Sequence, residues 1–276
     1  MAKNVYARQS FLGPHSVRTL ADLRVGIVGV GGGGSHVAQQ LAHVGVGHFV
    51  IPDPDVLKAH NLNRTVGARW NDINRKTAKG RIAERLIRGV NPRARVVARP
   101  VGWADMRLEL ATCDALLGCL DTYQQRAELE AFARRYQIPY LDIGMDVTGQ
   151  EGEYVISGQV IASIPGYPCM RCLGFLTEAK LAREAARYGM AGPRPQVVWS
   201  NGTLASAAVG VVVRWFCPWR RADTGLTYLD YDGNRDRLTE HNRLLYLSDI
   251  RCGHYAHLGS VGDPFWKATR ARRRQA

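Results

Sequence analysis

VGIVGVGGGGSHVAQQLAHVGVG runs from Val25 to Gly47. An apolar, β-branched run leads into four consecutive glycines, Gly31 to Gly34, and then into a helical spacing of apolar residues. The apolar run reads as a buried strand. Glycines in sequence cost conformational entropy on folding, so this loop is kept where a backbone without side chains is needed. Strand, glycine loop, helix, strand is the order in which a doubly wound sheet holds a nucleotide, with N–H groups at the helix start facing an anion. GVGGGG fits G-x-G-x-x-G through Gly29, Gly31 and Gly34, with Gly32 inside it. The next strand, HFVIPD, runs into PDPD, carrying Asp53 and Asp55. Asp53 lies about 20 residues past the loop, where an acid binds ribose hydroxyls in an NAD site or an ATP site alike.

Outward from the loop the same alternation continues. A helix is expected from about Ser35 to Val44, and RKTAKGRIAERLIRGVNP reads as an amphipathic helix stopped by Pro92. RARVVARP and CDALLGCLD read as the third and fourth strands, YQQRAELEAFARRYQ as a helix and IPYLDIGM as a fifth strand. Such alternation predicts an α/β fold, a Rossmann-like doubly wound, mostly parallel sheet covered on both faces. After about Gly149 the texture changes. GEYVISGQVIAS looks like antiparallel strands, TLASAAVGVVVRWF like a tightly packing small-residue helix, and GLTYLDYD like a further strand. The expectation is one continuous α/β domain over 1–276: a nucleotide-binding half at about 20–148, a mixed-sheet half at about 149–260, and a basic tail at 268–276.

The chain has 276 residues and a formal net charge of +13. That length buries a core without staples. No apolar run has the length of a membrane span, and Arg8 and His15 interrupt a signal-peptide pattern, so a cytoplasmic location is expected. There the six cysteines read as thiols or metal ligands rather than disulfides. The charge reads as solvated helix faces plus the tail, or as attraction to an anionic partner. No zinc finger, RNA-binding aromatic signature or basic stripe with interleaved aromatics is present, which disfavours nucleic acid.

DPDVLKAHNLNR, residues 53 to 64, separates the two nucleotide readings, because a dehydrogenase has no use for an Asn-Leu-x-Arg cluster just past the ribose acid. This stretch resembles the ubiquitin-activating-enzyme superfamily in its compact bacterial ThiF/MoeB branch. YARQ (Tyr6 to Gln9), DINRKTAKG, VNPRARV, GCLDTYQQR and PCMRCL resemble further motifs of that branch, in order, over about residues 6 to 215. Thr65 stands where glutamine is usual, and LDT where TDN is common. The resemblance implies ATP-dependent adenylation of the C-terminal carboxylate of a small ubiquitin-like or sulfur-carrier protein, in a homodimer. It implies that Asp53 holds the ribose, that Asn61, Arg64 and Lys76 contact phosphates, and that Asp121 helps hold Mg²⁺. It also implies that Arg8 reaches into the partner subunit's site. Read without it, Asp121 caps the following helix equally well, and Arg126 pairs with a helix-face glutamate. A nicotinamide oxidoreductase and a non-catalytic scaffold of the same fold are the alternatives.

Cys169 and Cys172, in CMRC, have the gap of a zinc knuckle. No second C-x-x-C follows. RCGHYAH instead offers Cys252, His254 and His257, and the expected Zn²⁺ site is Cys169, Cys172, Cys252 and one of the two histidines, with Cys217 a weaker candidate. Leu173 to Ser206 holds no cysteine. By the resemblance, thioester-forming members carry their nucleophile there, so this chain is expected to stop at the acyl-adenylate.

Overall fold

In the computed structural model, residues 5–186, 195–217, 219, 225–247 and 250–255 are described. The strands are β1 (Arg24–Val28), β2 (His48–Pro52), β3 (Arg95–Arg99), β4 (Ala115–Gly118), β5 (Tyr140–Thr148), β6 (Val155–Ser163), β7 (Tyr228–Asp232) and β8 (Arg237–Glu240). They form one sheet in the order β3-β2-β1-β4-β5-β6-β7-β8. Pairing is parallel from β3 to β5 and antiparallel from β5 to β8. The helices are α1 (Ser16–Asp22), α2 (Gly32–Val44), α3 (Trp70–Asn74), α4 (Lys79–Val90), α5 (Arg107–Leu110), α6 (Tyr123–Arg135), α7 (Glu178–Ala186), α8 (Val198–Phe216) and α9 (Leu244–Leu247). None of the described helices is long and apolar enough to cross a membrane.

Strand periodicity divides the core. Val25 and Ile27 of β1, Phe49 and Ile51 of β2 and Leu117 of β4 face α2 and α8. Val28, Val50, Leu116 and Tyr140 face the opposite layer, formed by Met106, Leu110, Leu129 and Ala133 together with Met170 and Leu173. Successive side chains leave a strand on opposite faces, so a sheet covered on both sides reads as the unbroken apolar runs of the sequence.

Three expectations shift. Helix α2 starts at Gly32 rather than Ser35, because the glycines themselves supply its first turn. Within GEYVISGQVIAS, Val155–Ser163 form a single strand, β6, paired along its length with β5 and over Ser157–Ile161 with β7. The basic amphipathic segment is helical only from Lys79. Ahead of it, Val56 bridges Ala78 and the Leu57 N–H donates to the Thr77 carbonyl at 2.9 Å, so these residues pair with the loop after β2 instead of winding. The tail at 268–276 lies outside the described residues.

Candidate functional site

The glycine loop closes on itself. Gly29 has φ +83°, and a Cβ there would lie 2.7 Å from the Cys119 carbonyl oxygen. A Cβ on Gly34 would stand against the Gly29 carbonyl oxygen. Both positions exclude every residue but glycine, and together they set the start of α2 against the ends of β1 and β4. Asp53 is buried. Its Oδ2 accepts from the Val30 N–H at 2.7 Å and its Oδ1 from the Asp55 N–H at 2.9 Å. Burial pushes its carboxyl up, against the pull of these N–H donors and Lys79.

A cavity of about 290 Å³ lies over this loop, lined by Gly29, Gly31, Gly32, Gly33, Asp53, Asp55, Asn61, Arg64, Lys79, Asp121, Arg126 and Asn201 among others. It sits beyond the carboxyl ends of parallel strands, where α/β sheets bind ligands. A wider cavity of about 840 Å³ shares Asp55, Asn61, Arg64, Lys79 and Asp121 with it and continues between Val147, Tyr154, Ile156, Val197 and Trp199. Asn61 Oδ1 accepts from the Lys58 N–H at 3.2 Å, which shapes the turn. Burial lowers the pKa of the Arg64 guanidinium, and the Asp121 charge opposes this. Arg64 donates to the His60 carbonyl at 2.6 Å.

Lys76 is not the cavity lysine. It sits at φ +47° in the turn after α3, and Lys79 lines both cavities, 2.8 Å from Asp55 Oδ2. The Val56–Ala78 bridge explains the difference, because it makes Lys79 the first residue of α4, on the face that carries Ile82, Ala83 and Ile87 inward. That i, i+3, i+4, i+8 spacing was the available signal. Replacing Lys79 by alanine is expected to lower nucleotide turnover by about a hundredfold, while Lys76→Ala stays near wild type. Steady-state kinetics of the two variants checks this; equal losses would contradict it.

Asp121 follows β4, and it does not cap α6. The cap is Thr122, whose Oγ1 accepts from the Gln125 N–H at 3.3 Å, which leaves the Asp121 carboxylate on the cavity wall. Arg126 pairs with Asp142 rather than with a helix-face glutamate, and Asp142 Oδ1 also accepts from the Tyr140 hydroxyl at 2.9 Å. Arg8 lies exposed in a 3-10 segment, Ala7–Leu12. Gln9 Nε2 donates to the Val44 carbonyl at 3.0 Å, which ties this segment to the C-terminal end of α2. Helix α2 has 13 residues, so this tie holds the segment at the end of α2 opposite the glycine loop, about 20 Å along the helix axis.

On the other side of α6, Cys169, Cys172, Cys252 and His254 place their ligand atoms within 4.8 Å of one another. Cys169 Sγ lies 3.7 Å from Cys172 Sγ and 3.5 Å from His254 Nδ1, and Cys172 Sγ lies 3.3 Å from His254 Nδ1. A tetrahedral ion with bonds of about 2.0–2.3 Å spaces its ligands about 3.3–3.8 Å apart, so the four side chains fit a metal centre. His257 lies outside the described residues. Cys217 is buried in the core beside α8 and is not one of this group. Sequence reasoning missed what supports the knuckle. Glu130 is fully buried; it accepts from the Met170 N–H at 2.8 Å, from Ser163 Oγ, and from the Tyr255 hydroxyl at 3.4 Å. Arg134 donates to the Tyr167 and Pro168 carbonyls, each at 3.0 Å. Charged residues of α6 at i, i+4 and i+8 (Arg126, Glu130, Arg134) thus form a buried stripe that the sequence alone reads as a solvated face.

With this geometry in place, residues 5–246 match the ThiF family. The chain belongs to the ThiF family. The SAMP-activating enzyme E1 of Haloferax volcanii is 32% identical over 190 residues, 68% of this chain and 67% of that protein. The sulfur carrier protein ThiS adenylyltransferase of Escherichia coli is 29% identical over 207 residues, 72% of this chain and 76% of that protein. The crystal structure of E. coli MccB with ATP has the same fold, with a TM-score of 0.70 at 18% identity over 87% of this chain and 71% of that one. ThiF membership sets the dehydrogenase alternative aside.

Proposed function

We propose that this ThiF-family chain is an adenylyltransferase that activates the C-terminal carboxylate of a small ubiquitin-like or sulfur-carrier protein. One observation carries the reading: a single cavity brings a glycine loop, the buried Asp53, and Asn61, Arg64, Lys79 and Asp121 together, and it adjoins a second cavity that shares its charged residues and continues between Val147, Tyr154, Ile156, Val197 and Trp199. The first takes ATP and the second takes the carrier's tail.

The carboxylate oxygen attacks the α-phosphorus of ATP, the bond to the β-phosphate oxygen breaks, and pyrophosphate leaves with its electron pair. No base is required, because the nucleophile is already ionised. The obstacle is the approach of two anions, so the protein acts by positioning and by neutralising charge. Asp53 orients the ribose while holding the loop. Arg64 and Lys79 face the phosphates, and Asn61 shapes the turn that presents Arg64. Asp121 offers the hard oxygen that Mg²⁺ prefers beside phosphate oxygens. Mg²⁺ supplies charge neutralisation on the leaving pyrophosphate. Cys169, Cys172, Cys252 and His254 hold a structural Zn²⁺.

The test is ATP–pyrophosphate exchange with a carrier ending in Gly-Gly and with the same carrier amidated at its C-terminus. Exchange with the first alone is expected. Exchange indifferent to amidation, or exchange with neither, overturns the reading.

The active form is a homodimer in which Arg8 serves the partner's site, since it is too far from its own. Mixing inactive Arg8→Ala and Asp121→Ala protomers is expected to restore about a quarter to a half of wild-type exchange, because each heterodimer regains one intact site. Verified subunit exchange without recovery contradicts the trans role.

A further inference from the structure

Helix α7 follows the Cys169–Cys172 knuckle, and none of its residues is buried. Polar attachments dock it, among them an ion pair between its Glu178 and Arg171 of the knuckle. Lys180 Nζ donates to the Phe175 carbonyl at 2.8 Å and lies 4.8 Å from the centre of the Phe175 ring and 5.4 Å from that of Tyr123. Glu184 reaches across to the start of α6, where Oε1 accepts from the Tyr123 N–H and Oε2 from the Gln124 N–H, each at 3.0 Å.

These are the first two amides of α6, which the helix cannot satisfy itself. Thr122 caps the third. A carboxylate on two successive N–H groups at the positive end of a helix is a strong, directional tie. It comes from about 60 residues away in sequence, although a cap is normally local. Two residues ahead of this turn, next to the N-cap Thr122, stands Asp121. Its side chain is exposed and lines the cavity.

The geometry points to Glu184 as a positioning residue: by closing the first turn of α6 from α7, it fixes Asp121 where the magnesium of Mg-ATP is taken up. The same tie makes the knuckle the base of a strut whose far end is the nucleotide site. Glu184 itself lines neither cavity. This inference rests on the adenylation reading of Asp121.

The test is ATP binding by calorimetry with and without Mg²⁺, on the full chain, for wild type, Glu184→Ala and Glu184→Gln. In wild type Mg²⁺ tightens ATP binding. Glu184→Ala is expected to lose about tenfold of that gain while its metal-free ATP affinity stays at the wild-type value. Glu184→Gln keeps one accepting oxygen but turns an N–H₂ group toward the second amide, so its loss is intermediate. Amide hydrogen exchange reports the tie directly: the Tyr123 and Gln124 amides are expected to exchange about tenfold faster in Glu184→Ala. Faster exchange at these amides with an unchanged Mg²⁺ response makes Glu184 a plain helix cap and overturns the proposal. Unchanged amide exchange overturns it as well. A wild-type chain that does not bind Mg-ATP overturns the adenylation reading, and this proposal with it.

Discussion

Asp121→Ala is expected to lower carrier-dependent ATP–pyrophosphate exchange by at least about a thousandfold, with the fold intact. The carboxylate stands at the carboxyl end of β4 and lines both cavities, and its charge is felt by Arg64 across the space between them. The other two cavity carboxylates are committed elsewhere: both oxygens of Asp53 accept from backbone N–H groups and Asp55 is paired with Lys79. Since Thr122 and Glu184 carry the cap of α6, and Asp121 is exposed, its loss leaves packing untouched. A surface substitution of this kind changes stability by about 0.5 kcal/mol or less. Exchange assays paired with thermal melts check both halves. A well-folded variant within about threefold of wild type would remove Asp121 from the mechanism, since that is far less than a lost charge stabiliser costs.

Protein purified without chelators is expected to carry one zinc per chain, and Cys252→Ser or His254→Ala to lose it. Cys169 and Cys172 sit on the knuckle after β6, while Cys252 and His254 come from a segment some 80 residues on. The ion therefore closes a long loop, and its binding energy is folding energy. Burial pushes the Cys169 thiol up, so a cation is what lets this sulfur become a thiolate. At Cys252 burial also acts upward, yet the N–H groups of Tyr255 and His254 and the neighbouring thiols bring it below the ordinary thiol value. Metal loss is expected to lower the melting temperature by on the order of 10 °C. Elemental analysis and melting curves check this. Metal-free protein from a chelator-free preparation, or a full complement of zinc in Cys252→Ser, would contradict it.

The strand–helix alternation was legible because a sheet buried on both faces writes unbroken apolar runs, and because Gly29 and Gly34 occupy positions where no side chain fits. Asp53, Asn61, Arg64 and Asp121 were legible through the resemblance, and the cavity brings them together. Lys79 shares the spacing of Ile82, Ala83 and Ile87, but the backbone bridge between Val56 and Ala78 that starts α4 there is not written in that spacing. The approach of His254 to Cys169, Cys172 and Cys252 is a tertiary contact that no local spacing shows. Glu130, Arg134 and Glu184 were hidden for a common reason: on a helix, a charge that caps or braces a distant segment has the same spacing as one facing water. The cysteines follow the opposite logic. Cys113 is buried, burial raises Cys217, and burial pushes Cys119 up to about 12. Neither Cys217 nor Cys119 has the lowered pKa of an attacking thiolate.

Formation of a carrier acyl-adenylate is read by intact-mass measurement. Enzyme, a carrier ending in Gly-Gly, Mg-ATP and pyrophosphatase are mixed, and the carrier is weighed without reductant. The account predicts a carrier heavier by one AMP less water, no covalent enzyme–carrier species, and no such gain in Asp121→Ala. A carrier of unchanged mass while ATP is consumed, or a reductant-sensitive enzyme–carrier adduct, would contradict it.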